Sequence, residues 1–149
     1  MAQDVSIAVV LVIENGRVLV GQRPLTAASA AGYAEFPGGK VEAGETATTA
    51  ARRECLEETG LDVLVEDLIA SNQLPEGGGR IDFLSGRLSD TSTTVPHSPF
   101  SWLTAEEVTA SRFPPANAAA VRWLMQRLQS FAELPATASP RGGDGGGKR

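Results

Sequence analysis

The stretch from Thr46 to Gly60 carries the signals for both ends of one helix. Thr46 is a residue type whose hydroxyl accepts from the first unpaired N–H groups of a helix, and Gly60 can take the left-handed position that closes one. The chain around this helix is written in a different period. Val5 to Ile13 is a continuous, largely β-branched run, and Val18 to Arg23 follows it across Glu14-Asn15-Gly16-Arg17. Asn-Gly between two such runs is the strongest short hairpin signal. Leu61 to Ala70 and Ile81 to Leu88 read as strands separated by the glycine-rich turn Glu76 to Arg80, and Phe100 to Leu103 as a short strand. Leu25 to Glu35 reads as an irregular loop. Phe36 to Glu45, with its Pro and three Gly, reads as backbone shaped for close approach. Thr104 and Glu107 form a capping box opening a short helix, and Val121, Leu124, Met125 and Leu128 recur at helical spacing. Strands on both sides of a helix, with a further helix at the end, predict an α/β domain with a mixed sheet and helices on both faces.

The 149 residues make one domain, expected over residues 1–132, followed by a disordered Gly/Pro-rich tail over 133–149. A lone cysteine, Cys55, forms no internal bridge, which fits a reducing compartment. The apolar run at the N-terminus is too short to span a bilayer and has no basic lead-in, so a cytoplasmic, soluble protein is expected. A net charge of −5 argues against a duplex nucleic-acid binder, whose affinity rests on Lys and Arg at phosphates. No face is obviously self-complementary, and a monomer is favoured.

The most informative side chains are Glu54, Glu57 and Glu58. Spaced i, i+3, i+4 they share a helix face, where like charges repel by a few tenths of a kcal/mol per pair. They also sit in the last turns, where the helix dipole disfavours anions by roughly 0.3–1 kcal/mol each. Such a face is either a solvated acidic stripe paired with Arg52, Arg53 or distant lysines, or a site for a hard divalent cation. The dipole argument weighs toward the cation, and oxygen-only donors suit Mg²⁺, with Mn²⁺ as a substitute. Cys55 reads as a small core residue and His97 as an exposed loop residue; no Ser-His-Asp or Cys-His arrangement is present in the pattern.

Gly39 to Leu61, "GKVEAGETATTAARRECLEETGL", resembles the Nudix box. That pattern is Gly, five residues, Glu, seven residues, Arg-Glu, an aliphatic, any residue, Glu-Glu, any residue, Gly, an aliphatic. Gly39, Glu45, Arg53, Glu54, Glu57, Glu58, Gly60 and Leu61 match it, while Cys55 stands at the first aliphatic position. The resemblance implies a Nudix-type α/β/α sandwich with a mixed β-sheet. It also implies a metal site of Glu54, Glu57, Glu58 and the Gly38 carbonyl, with Arg53 organising the carboxylates and Glu45 supporting the loop. The reaction implied is attack of water on a phosphorus of a nucleoside diphosphate linked to another group.

The likeness extends to the MutT-type members of the family, through "GQRP" around Arg23, "EFPGGKVEAGET" from Glu35, "SWL" around Trp102 and "FPPAN" from Phe113 to Asn117. It implies hydrolysis of 8-oxo-dGTP to the monophosphate and pyrophosphate, a nucleotide-pool sanitising activity. Arg23, Glu35, Phe36, Pro37 and Gly38 would line the nucleotide site and Asn117 would read the base. Oxidation at C8 turns the N7 acceptor of guanine into a donor beside the O6 acceptor, and an amide offers the complementary acceptor and donor. Asn117 also reads as a helix cap. Ser101 stands where MutT-type members have a glutamate. That leaves the general base open between Glu54, the first choice, Glu57, and more remotely Glu106 or Glu107. Other nucleotides, such as dCTP or ADP-ribose, are the alternative substrates. A non-catalytic base-recognition module is the reading from another class; such modules tend to lose the acidic residues, which this chain keeps.

Overall fold

The structure, a computed structural model, describes residues 4–26, 31–74 and 77–132. The chain forms strands β1 (Val5–Glu14), β2 (Arg17–Gln22), β3 (Ala34–Glu35) and β4 (Gly38–Lys40), then helix α1 (Ala47–Thr59). Strands β5 (Val63–Gln73), β6 (Gly79–Leu88) and β7 (Phe100–Leu103) follow, then α2 (Ala105–Thr109), a 3₁₀ turn at Pro115–Asn117 and α3 (Ala118–Ala132). The expected tail, 133–149, lies outside the described residues.

Among the described residues the strands make a seven-stranded sheet ordered β3-β2-β1-β6-β5, with β4 also paired to β1 and β7 to β2. It is mixed: β1 and β6 run parallel, from Val5 opposite Gly79 to Val12 opposite Gly86, and the other pairs are antiparallel. The uninterrupted apolar run of β1 follows from its central place, because both of its faces are covered. Ala8, Val10 and Val12 pack with Ala50, Ala51 and Cys55 of α1. Val9 and Leu11 pack on the other face with Val108 of α2 and Ala120, Leu124 and Leu128 of α3. The sheet therefore lies between α1 and the α2–α3 pair, an α/β/α arrangement. Each fully buried Val or Leu contributes roughly 1.5–3 kcal/mol, which makes β1 the costliest strand to alter.

The local signals act as their chemistry requires. Asn15 (φ 50°) and Gly16 (φ 77°) supply the two positive φ values of a tight hairpin turn. The Thr46 hydroxyl accepts from the Thr49 N–H, and Gly60 at φ 79° donates to the Leu56 carbonyl. Thr104 and Glu107 complete their capping box. Cys55 is buried, and that burial pushes its thiol up to about 11, so it packs as a small apolar group.

Three expectations are corrected. Gly38–Lys40, where no strand was expected, is a strand on β1 with Gly38 opposite Val9; the close approach expected of this stretch is present, since a Cβ on Gly38 would strike the Ala8 carbonyl. Ala34–Glu35 is a strand as well, paired with Gln22 and Gly21 of β2. The strand expected at Leu61 starts at Val63 and runs to Gln73, while Leu61 turns into the α1 layer of the core. Among the described residues no helix is long and apolar enough to cross a membrane.

Candidate active site

Arg52 and Arg53 are neighbours on α1 with different partners. Arg52 pairs bidentately with Asp62, at 2.9 and 3.0 Å, and takes no part in the acidic face. Arg53 is the hub of that face. Its Nε and Nη2 donate to the two carboxylate oxygens of Glu45 at 2.7 and 2.9 Å, and Nη1 donates to Glu54 at 3.1 Å and Glu57 at 3.4 Å. Nη2 also donates to the Lys40 carbonyl at 3.1 Å, which ties α1 to β4. A planar guanidinium can fork in this way and an ammonium cannot. The fork from Arg53, with the Glu42 N–H donating to the same carboxylate, lowers the Glu45 carboxyl to about 2. Arg53 is raised further above its already high value, chiefly by Glu45.

Glu54 lies directly over Gly39, whose missing Cβ leaves the room its carboxylate occupies. The Gly38 N–H donates to Glu58 Oε1 at 3.2 Å. Desolvation of that carboxyl pushes Glu58 up to about 7, with Glu54, Glu35 and Glu57 adding to the rise and the Gly38 bond opposing it. Among the described residues no group of three Asp, Glu, His or Cys side chains is disposed to hold a metal ion by itself. The donors are nevertheless all oxygens, and the Glu58 carboxyl is desolvated and close to Glu54, Glu35 and Glu57, a burden a cation would relieve. Such a set fits a hard divalent cation that draws its remaining ligands from backbone, phosphate and water, as Mg²⁺ commonly does.

The residues expected at the nucleotide fall into local pairs, Arg23 with Glu35 and Phe36 with Phe113, while Gly38 meets Glu58. Arg23 Nη1 donates to Glu35 at 3.0 Å, and the Arg23 backbone N–H to the Tyr33 carbonyl at 2.9 Å. The Phe36 ring stacks on Phe113, centroids 4.9 Å apart and planes inclined by 17°. Just before Phe113, the Arg112 carbonyl accepts from Ala34 N–H at 2.7 Å, and the Arg112 guanidinium lies 4.6 Å above the Tyr33 ring. Pro37 uses its carbonyl to accept from Val10 N–H at 3.0 Å. Asn117 ends the 3₁₀ turn with its N–H on the Pro114 carbonyl. It is only 8% exposed, and its side-chain amide makes no hydrogen bond among the described residues. The helix-cap reading of Asn117 thereby loses its bond.

Ser101 is exposed on β7, opposite Val20. Glu107 is committed to the capping box through Thr104, which removes it from the candidates for the base. His97 is exposed but not idle: its N–H donates to the Thr59 carbonyl at 2.8 Å and its ring covers Gly60 at the end of α1. Sequence reasoning missed Asn72 of β5, whose amide donates to the Ala116 carbonyl. A polar residue near a strand end gives no signal of a partner 44 residues away.

The chain matches the NUDIX domain model over residues 2–124. It is 30% identical over 116 residues to the CTP pyrophosphohydrolase of Escherichia coli K12, covering 76% of this chain and 85% of that protein. It is 32% identical over 125 residues to the 8-oxo-dGTP diphosphatase of Haemophilus influenzae, covering 79% and 88%. Among solved structures, a NUDIX hydrolase from Nitrosomonas europaea superposes with a TM-score of 0.71 at 21% identity, over 87% of this chain and 74% of that one.

Proposed function

The chain belongs to the Nudix hydrolase family, and from that membership we propose a divalent-cation-dependent nucleoside triphosphate pyrophosphohydrolase whose preferred substrate is 8-oxo-dGTP. The observation that supports the base assignment is Asn117: a residue 8% exposed whose side-chain amide makes no hydrogen bond among the described residues, on a segment stacked through Phe113 onto Phe36. Oxidised guanine offers N7–H beside O6, which satisfies both atoms of the amide; normal guanine sets N7 against the amide oxygen. A polar group left unpaired in a buried site is the kind of mismatch that gives large discrimination, in favourable cases roughly 10⁴-fold or more.

In the reaction, water attacks a phosphorus and the P–O–P bridge breaks, releasing monophosphate and pyrophosphate. Glu54, Glu57, Glu58 and the Gly38 carbonyl would hold Mg²⁺ or Mn²⁺, which would neutralise diphosphate charge and lower the pKa of the attacking water. Arg53 holds Glu54 and Glu57 in place through Nη1 while anchoring itself on Glu45. Glu54, 19% exposed in its side chain and held between Arg53 and Gly39, is the best-fixed proton acceptor; Glu57, at 58%, is the second. Arg23, which pairs with Glu35 here, would contact the nucleotide.

The likeness to a CTP pyrophosphohydrolase supports a second reading, because cytosine also presents a donor (N4–H) beside an acceptor (N3) and could satisfy the same amide. Incubating the protein with 8-oxo-dGTP and Mg²⁺ and identifying the products by phosphorus NMR tests the reaction class. Monophosphate plus pyrophosphate is expected; release of orthophosphate in successive steps contradicts it.

A further inference from the structure

The segment that presents Asn117 is poorly packed on its outer sides. An open cleft of about 490 Å³ runs between it and β5, lined by Asn72, Gln73, Ala116, Ala119 and Arg122. A second cleft, of about 480 Å³, borders Phe113, Pro114 and Pro115 on the side of α2. Open space thus borders the segment on two sides, while Phe113 packs on the core. Discrete ties add to that packing among the described residues. From the β3 side come the Ala34 to Arg112 backbone bond, the Arg112–Tyr33 contact and the Phe36–Phe113 stack. They hold the segment's start.

A further tie crosses from β5. Asn72, which stands opposite Ile81 of β6, donates its side-chain N–H to the carbonyl of Ala116, the residue immediately before Asn117. Pro114 and Pro115 have fixed φ and no N–H of their own. The peptide joining Ala116 to Asn117 is held through its N–H by the Pro114 carbonyl and through its C=O by Asn72, so a rotation at the Asn72 end swings the Asn117 amide.

We infer that Asn72 is a positioning residue for base selection: its hydrogen bond to the Ala116 carbonyl aims the Asn117 amide at the base. The inference rests on the reading of Asn117 as the base-reading side chain. Asn72 touches neither substrate nor metal in this role and acts through Asn117. It determines how well the site tells two bases apart rather than how fast the phosphorus reacts.

The test measures kcat/KM for 8-oxo-dGTP and dGTP in the wild type, Asn117→Ala, Asn72→Asp and Asn72→Ala. Asn72→Asp is isosteric and turns the donor into an acceptor facing a carbonyl; Asn72→Ala removes it. Both are expected to lower the ratio of the two kcat/KM values by roughly three- to tenfold, the range a single hydrogen bond commands, mainly through KM of the preferred nucleotide. A purely structural role would instead lower kcat on both nucleotides alike and leave the ratio intact, which overturns the inference. A wild-type ratio near one, or an unchanged ratio in Asn117→Ala, removes the base reading and the inference with it. Erosion in Asn117→Ala with the ratio kept in both Asn72 variants overturns the inference alone. Failure of both Asn72 variants to fold, judged by circular dichroism, also overturns it, since the bond would then serve the fold.

Discussion

The Phe36 and Phe113 rings stack at 4.9 Å, joining a segment just before the acidic helix to one just before the last helix. Phe36 is buried in the α2–α3 layer of the core and Phe113 packs against it, so the stack is a core contact. One short stretch of chain thus meets both the Phe113 segment and the acidic face of α1: Phe36 faces Phe113, and Gly38, two residues on, donates to Glu58.

Phe113→Leu keeps an apolar side chain and removes the aromatic pair. Stability should fall by about 1 kcal/mol, from the lost ring–ring term and imperfect repacking. The KM for the preferred nucleotide should rise while kcat changes less. Urea denaturation and steady-state kinetics check both; a fall in kcat with KM unchanged would place the stack outside nucleotide binding.

Arg53→Lys retains the charge and loses the fork that spans Glu45, Glu54 and Glu57. Loss of a residue that orients ligating carboxylates typically costs 10–100-fold in activity, and kcat should fall by roughly that factor. Nucleotide binding measured calorimetrically without turnover should be far less affected. Near-normal kcat would mean that charge alone, not the fork, organises the face.

Glu54→Gln and Glu58→Gln remove one negative oxygen each with little change in shape. A drop in kcat of about 10³-fold is expected for Glu54→Gln, within the range for a lost base and metal contact. Glu58→Gln should weaken activation by Mg²⁺, raising the concentration needed for half-maximal rate. Wild-type activity in either variant would sink the assignment of this face.

Glu58 and Glu45 make opposite contributions to stability as pH changes. Glu58 has a folded value near 7 against an ordinary 4.5, so the folded state holds its proton more tightly and stability falls as pH rises from 4.5 through 7. Glu45, lowered to about 2, contributes stability that is present above 4.5 and lost as pH falls toward 2. In EDTA, Tm should therefore decline between about pH 5 and 8, and Mg²⁺ should recover most of the decline at pH 8. The Glu58→Gln variant should lack that decline. Differential scanning calorimetry across the range decides it, and an EDTA profile identical in wild type and Glu58→Gln would remove Glu58 as its origin.

Signals that act within a few residues were legible in the sequence. Asn15-Gly16, Thr46, Gly60 and the Thr104–Glu107 box each work through bonds to near neighbours, and each does so in the structure. Arg53 was marked out by the box resemblance, but its separation from Arg52, which turns to Asp62, was not legible. Strand β4 was hidden because glycines disfavour strands in general, whereas here the absence of Cβ is what lets the strand lie on β1. The Phe36–Phe113 stack and the Asn72–Ala116 bond were hidden for another reason: they join residues far apart in sequence, and nothing local marks either partner.

The most direct test of the proposed substrate is kcat/KM of the purified protein for 8-oxo-dGTP, dGTP, dCTP, CTP and ADP-ribose under one Mg²⁺ concentration. The value for 8-oxo-dGTP is expected to exceed that for dGTP by at least about tenfold, roughly 1.4 kcal/mol in transition-state binding, and to exceed those for the cytidine nucleotides as well. Equal values for 8-oxo-dGTP and dGTP, or a preference for CTP, would contradict it.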